Sequence, residues 1–240
     1  MAQQAPVTRR VLPTAPALAE AVAEALVARL ADAQRAGRTP SVGLTGGSIA
    51  TAIHNALAEV GPRSPVDWSR VDFWWGDERF VPADSPDRND LTVLPVLDAL
   101  GADPARVHRM PAYAPTGVEE AAGRYAAELR AHGAGEFEVL MLGIGPDGHV
   151  ASLFPGHRAL AADGIAVGVS ASPKPPPERV SLTLAALNRS REVWFVASGS
   201  AKASAVRAAQ EAGPVEEIPA RGVRGRSGTV WWLDRAAAGD

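Results

Sequence analysis

The chain contains no cysteine. That absence excludes disulfide frameworks, thiolate zinc sites and thiol nucleophiles together. No stretch reaches the roughly 18 to 20 consecutive apolar residues that span a bilayer, so no membrane partner is expected. The Arg9-Arg10 pair has the look of a twin-arginine export signal, but Glu20 and Glu24 interrupt the segment that follows, where an apolar run is required. Cytoplasmic residence is therefore expected. Nor is there a surplus of positive charge: the formal net charge is -3, and phosphate-backbone binding needs a concentrated basic surface, so nucleic acid is not expected as a partner. No internal repeat and no linker divides the 240 residues, which are enough to bury one sizeable core. A single domain over residues 1–240 is expected, and a monomer or weak homodimer.

What is present is an ordinary globular composition, 46% hydrophobic and 21% charged, laid out as alternating helical and strand patterns. Leu18, Val22, Leu26 and Leu30 recur every four residues from Pro16 onward, with Glu20, Glu24 and Arg29 elsewhere, which predicts an amphipathic helix ending near Gly37. A short buried strand, Ser41 to Leu44, runs through the tight turn Thr45-Gly46-Gly47-Ser48 into a helix over Ile49 to Val60. The spacing predicts further strands at Val71 to Trp75, Phe137 to Leu142, Ile165 to Val169, Val180 to Leu184, Glu192 to Ala197 and Thr229 to Leu233. Helices are predicted at Leu91 to Leu100, Val118 to Ala131 and Ala201 to Ala212, and a long polar loop at Gly76 to Asp90. This alternation predicts an α/β fold, a single mostly parallel sheet with helices on both faces. In such sheets ligands bind in the loops leaving the carboxyl ends of strands. Four such loops carry polar residues: Thr45 to Ser48, Gly76 to Asn89, Gly143 to Gly156 and Ser198 to Lys202.

Thr45-Gly46-Gly47-Ser48 joins a strand to a helix start, where free amides and the helix dipole favour an anion and glycine lets a phosphate approach the backbone. Two readings stand, a phosphate cradle or a glycine turn with Ser48 as N-cap. The turn is neither a P-loop nor a dinucleotide fingerprint. Asp77-Glu78-Arg79 places three charges directly after an apolar strand; Arg79 suits bidentate phosphate binding, and the alternative is a salt-bridged surface turn. In Gly143-Ile144-Gly145-Pro146-Asp147-Gly148-His149, glycines bracket an acid and a histidine just beyond a buried strand. His149 can take a proton from water near neutral pH, and Asp147 is near enough to orient it. One Asp is too few ligands for calcium. His54, His108, His132 and His157 have no comparable setting and are expected at the surface or at caps. The proline-rich run Ser172 to Arg179 lies between two predicted strands, which favours a rigid turn presenting Lys174 or Arg179 over a polyproline ligand. Lys202 stands in the first turn of a helix, where the dipole disfavours a cation; an anionic ligand or a merely solvated lysine would account for it.

Taken together these blocks resemble the 6-phosphogluconolactonase family from about Ser41 to Leu233. The run Gly143 to Gly156, with Asp147-Gly148-His149 followed by Ala151-Ser152-Leu153-Phe154-Pro155-Gly156, is similar to that family's most specific block. Trp75-Gly76-Asp77-Glu78-Arg79-x-Val81-Pro82, Asn89, Ser172-Pro173-Lys174 with Arg179, and Gly199 with Lys202 follow in the family's order. Thr45 replaces a usual serine, Ile49-Ala50 a Thr-Pro, and Arg88 and Asp90 flank Asn89 in place of Ser and Tyr.

The resemblance implies a sugar-phosphate isomerase-like fold, a phosphorylated lactone as the small-molecule substrate, and a place in the oxidative pentose phosphate pathway. On that basis His149 is expected to activate water and then protonate the departing ring oxygen, with Asp147 fixing its tautomer. The phosphate is expected against Gly46, Gly47, Ser48, Arg79, Arg179 and Lys202, with Asp77 and Asn89 nearby. No cofactor and no metal is expected. The related amino-sugar phosphate isomerases share the Asp-Gly-His core but carry a glutamate downstream, where Leu153-Phe154-Pro155-Gly156 offers no acid. A sugar-phosphate sensor domain would need a DNA-reading module, for which one amphipathic helix before Ser41 is too little.

Overall fold

The computed structural model describes residues 5–133 and 135–240. In chain order the elements are β1 (Val7–Leu12), α1 (Ala15–Arg35), β2 (Ser41–Leu44), α2 (Ser48–Val60), β3 (Asp72–Trp75), β4 (Asp77–Arg79), α3 (Leu94–Ala99), α4 (Val118–Ala131), β5 (Val139–Leu142), β6 (Ala166–Val169), β7 (Arg179–Leu182), α5 (Leu184–Leu187), β8 (Glu192–Ala197), α6 (Ala203–Gln210), β9 (Gly228–Asp234) and α7 (Arg235–Ala238). Six strands form one sheet in the order β1-β9-β8-β5-β2-β3, and every pair in it is parallel. β5 is buried at all four positions and β8 at five of six, so the sheet is covered on both faces.

The order of the strands explains why the polar loops meet. β8, β5, β2 and β3 are neighbours and run the same way, so the segments that leave their carboxyl ends, 198–202, 143–149, 45–48 and 76–79, emerge side by side. The end of β3 is held firmly: the Tyr125 hydroxyl of α4 accepts from Trp75 N at 2.9 Å and donates to Trp75 O at 3.0 Å. Trp74 and Trp75 are fully buried beneath it.

Local chemistry sets the helices. Thr14 caps α1 by accepting from Ala17 N, Pro16 sits in its first turn, and Leu18, Val22, Leu26 and Leu30 face the core. α2 buries Ile53 and Leu57.

Three features differ from the sequence expectation. β1 was not expected; its Val-Thr-Arg-Arg-Val-Leu is exposed nearly throughout, because an edge strand paired only to β9 needs no apolar alternation, and its arginines suit an open edge. The predicted loop 76–90 contains β4, which pairs antiparallel with β7, and β7 with β6, so the two strands predicted near 165 and 180 belong to a separate three-stranded sheet. The helix expected over Leu91 to Leu100 is shortened to a 3-10 turn at Asp90–Thr92 followed by α3.

Candidate active site

The converging loops enclose a cleft of about 350 Å³ lined by Gly46, Gly47, Ser48, Asp77, Arg79, Asn89, His149, Arg179 and Lys202, every candidate residue except Asp147, which is bonded to His149 at its edge. Segments spread over more than 150 positions of sequence thus supply one site.

The helix start lines the cleft. Gly47, not Ser48, is the N-cap of α2, with φ +99°, a conformation open to glycine and strained for other residues. No side chain caps the helix, so the reading of Ser48 as N-cap is corrected: the first-turn amides stand open beside a cleft that Gly46, Gly47, Ser48 and Ile49 line. Arg79 lines it too. β4 alternates faces, which turns Asp77 and Arg79 to the cleft and Glu78 away from it. The Arg79 Nη1 donates to Asn89 Oδ1 and, at 3.0 Å, to Asp87 O. Its Nε is buried with no partner, and Nη2 makes no hydrogen bond among the described residues. With Nε closed to solvent and Nη1 engaged, Nη2 is the guanidinium nitrogen left for an anion.

Glu78, 1% exposed, accepts from Arg79 N at 2.9 Å, Asn89 N at 2.8 Å and Asp90 N at 3.0 Å. Burial pushes its carboxyl up to about 7, against the Asn89 and Arg79 amides and Arg88, which draw it down, and with the neighbouring Asp90, which raises it. Asp77 is oriented by Ser152, whose Oγ donates to Asp77 Oδ2 at 2.6 Å.

His149 lines the same cleft from the 143–149 loop, and Asp147 is paired with it. The His149 Nδ1 is 2.5 Å from Asp147 Oδ1, which places the Nδ1 proton on that bond and leaves Nε2 with a free lone pair; Nε2 makes no hydrogen bond among the described residues. A Cβ at position 145 would collide with both side chains, so the glycine is what permits this pair to sit against the backbone. Burial lowers the His149 pKa, Lys174 lowers it further, and the Asp147 carboxylate raises it; the net direction is down. Burial alone would raise Asp147, but His149, Lys174 and a backbone bond outweigh it and hold the carboxyl below its ordinary value.

Lys174 is the residue sequence reasoning underweighted. Its Nζ lies 3.4 Å from Asp147 Oδ1 and 3.2 Å from His149 Nδ1, and it lines the cleft. Its signals were its place in a proline-rich turn after β6 and in the Ser172-Pro173-Lys174 block of the family resemblance. Arg179 serves that turn: its Nε and Nη2 donate to the carbonyls of Pro176, Lys174 and Pro175, and its guanidinium lies 5.6 Å from the Phe154 ring centroid, leaving Nη1 for a ligand. Lys202 spends one proton on Ile144 O at 2.7 Å, and burial and Lys174 lower its pKa. Gly199 N is taken by the Asp234 carboxylate, so the second glycine turn is no open amide cradle.

The other histidines divide. His157 and His132 act at caps as expected. His54 and His108 are buried, which corrects the surface assignment: His54 has neither ring nitrogen bonded, while His108 stacks on Trp74 at 3.8 Å and is held by Glu128 and Asp72. Among the described residues no three His, Asp or Glu side chains converge as a metal-holding group.

The chain is similar to known proteins in sequence and in fold. The family model of glucosamine-6-phosphate isomerases and 6-phosphogluconolactonase matches residues 13–232. A 6-phosphogluconolactonase of Streptomyces coelicolor is 46% identical over 233 residues, covering 92% of this chain and 89% of that protein. One from Homo sapiens is 39% identical over 230 residues, covering 92% and 87%. The crystal structure of a Thermotoga maritima 6-phosphogluconolactonase superposes with a TM-score of 0.84 at 29% identity, covering 95% of this chain and 99% of that one. A monomeric glucosamine-6-phosphate deaminase, at 20% identity and a TM-score of 0.81, shares the fold.

Proposed function

The chain belongs to the family of glucosamine-6-phosphate isomerases and 6-phosphogluconolactonases, and from that premise we propose that it hydrolyses 6-phospho-D-glucono-1,5-lactone to 6-phosphogluconate, the lactone-opening step of the oxidative pentose phosphate pathway. What supports this reading is that one cleft is lined both by His149, which is paired with Asp147, and by Arg79, Lys202 and the first turn of α2, where no side chain caps the amides. An amino-sugar isomerase would need an acid downstream of His149, and Leu153 and Phe154 there are buried apolar residues.

The phosphate docks on the Nη2 of Arg79, the α2 amides and Lys202, and this remote binding sets the lactone carbonyl over a water beside His149. His149 Nε2 takes a proton from that water as its oxygen bonds to the carbonyl carbon. The resulting oxyanion forms in the field of the cleft's cations, and Asp147 stabilises the imidazolium. When the intermediate collapses, the bond from the carbonyl carbon to the ring oxygen breaks, and Nε2 returns its proton to that oxygen. The new carboxylic acid ionises, so the net proton is released to solvent. Depression of the His149 pKa keeps the ring neutral, the form that can accept a proton.

The test is to generate the phosphorylated lactone in situ and compare its disappearance with and without the protein, since the lactone also opens spontaneously. Disappearance no faster with the protein overturns the proposal. Activity is expected to survive exhaustive chelation, because the histidine base needs no metal to make water nucleophilic; loss with EDTA that zinc restores would replace the mechanism with a metal-assisted one.

A further inference from the structure

Glu78 never reaches the cleft, yet it collects more backbone amides than any side chain in it. One carboxylate oxygen accepts from Arg79 N and Asn89 N, the other from Asp90 N. The consequence is geometric. Tying residues 89 and 90 to residue 78 brings Asn89 Oδ1 onto Arg79 Nη1, and Asn89 Nδ2 to within 3.4 Å of Asp77 O. The loop is also fixed on its far side: Arg88, 2% exposed, pairs with Asp90 at 2.6 Å and donates to Met110 O at 2.8 Å, and Arg109 bonds Asp90 at 2.8 Å. Close packing of Asn89 against Gly46 then joins this loop to the turn that opens α2, since a Cβ at Gly46 would collide with the Asn89 side chain.

We propose that Glu78 is a positioning residue of the phosphate grip: through its three amide bonds it holds Asn89 against Arg79 and so presents the guanidinium Nη2 to the anion before ligand arrives. The inference rests on the reading of Arg79 as a phosphate ligand. A buried carboxylate on the face of β4 opposite the cleft contributes nothing directly to binding or chemistry. What it supplies is preorganisation: without it, Arg79 and the 87–90 loop must be ordered by the ligand, at the expense of affinity.

The variant that reads this is Glu78→Gln. It keeps the shape and one carbonyl oxygen for Arg79 N and Asn89 N, but sets an amide NH₂ against Asp90 N–H, two donors facing each other. Affinity for 6-phosphogluconate, by calorimetry, is expected to fall about tenfold or more, as for a buried hydrogen-bond mismatch, and KM for the phosphorylated lactone to rise in parallel while kcat stays within about threefold. The kcat/KM for glucono-1,5-lactone without phosphate is expected to be unchanged. In an Asn89→Ala background the same change is expected to add less than about twofold, because Glu78 acts through Asn89. Equal losses on both lactones, or full additivity with Asn89→Ala, would show Glu78 to be a general stabiliser and overturn the proposal. If Glu78→Gln does not fold, amide exchange in the unliganded wild type decides: protected Asn89 and Asp90 amides support the clamp, and loop-like exchange rejects it. Wild-type protein that binds inorganic phosphate but does not open the lactone contradicts the proposed activity alone; the ratio of phosphate affinities of wild type and Glu78→Gln then still reads the clamp.

Discussion

Replacing Arg79 by alanine tests the division of the cleft's residues between phosphate binding and reaction. Nη1 is already spent on Asn89 and Asp87 and Nε is buried, so the loss falls on Nη2, whose two protons offer charge-assisted hydrogen bonds. Such bonds contribute about 1.5–3 kcal/mol each. Lys202 and the α2 amides remain in place, so the net loss is about 3–4 kcal/mol, and at about 1.4 kcal/mol per factor of ten kcat/KM for the phosphorylated lactone should fall by roughly 10² to 10³. With glucono-1,5-lactone, which has nothing for the guanidinium to hold, the change should stay under about threefold. Arg79→Lys keeps the charge and loses the planar guanidinium, so it should recover only part of the deficit. Both lactones are followed against their spontaneous opening, and thermal melting confirms that each variant is folded. Parallel losses on the two substrates would place Arg79 in folding or chemistry and not in phosphate binding.

The pH dependence follows from the groups around His149. In the proposed mechanism the neutral ring is the reactive form, so kcat/KM should fall as pH falls through the His149 pKa, which burial lowers from its ordinary value. Lys174→Gln removes a cation 3.2 Å from Nδ1 and should move this acid limb to higher pH, whereas Asp147→Asn should move it lower and reduce kcat; a limb unmoved by Lys174→Gln would dissociate Lys174 from the ring. Stability has its own titration in His54, whose pKa burial lowers to about 4 in the fold from 6.5 in the unfolded chain. The unfolded state binds the proton first, so this contribution is complete above pH 6.5 and is lost as pH falls toward 4, by about 3 kcal/mol. Denaturant titrations of His54→Leu between pH 4 and 7 should show a shallower slope than wild type; an equal slope would assign the acid lability elsewhere.

The parts of the site legible in the sequence were those whose function and local conformation share residues. Gly46-Gly47 and Gly145 stand where the backbone needs glycine, directly beside the groups that use the space, so motif and geometry coincide. The parallel sheet was legible for the same reason: strands buried on both faces read as apolar runs, as in Val139 to Leu142 and Val193 to Ala197. What escaped depends on contacts distant in sequence. β1 carries no apolar alternation because it is an edge. Lys174 gains its role only when the turn after β6 folds back onto His149, 25 positions away. Glu78 was legible only as one of three charges following an apolar strand, because the period of a three-residue strand too short to recognise decides that it faces inward. His54 and His108 lie on buried faces where tertiary packing, not local pattern, determines their surroundings.

In the proposed mechanism His149 is the base that activates water while the phosphate is held elsewhere. His149→Asn keeps a polar side chain of similar reach and removes the titratable nitrogen. The direct measurement pairs single-turnover or steady-state hydrolysis of the phosphorylated lactone, corrected for spontaneous opening, with calorimetric binding of 6-phosphogluconate to the same variant. If His149 is the base, kcat should fall by about 10²-fold or more, on the scale of a positioned base, with product affinity changed by less than about threefold. A variant with near wild-type kcat, or one that loses product binding together with activity, would contradict it.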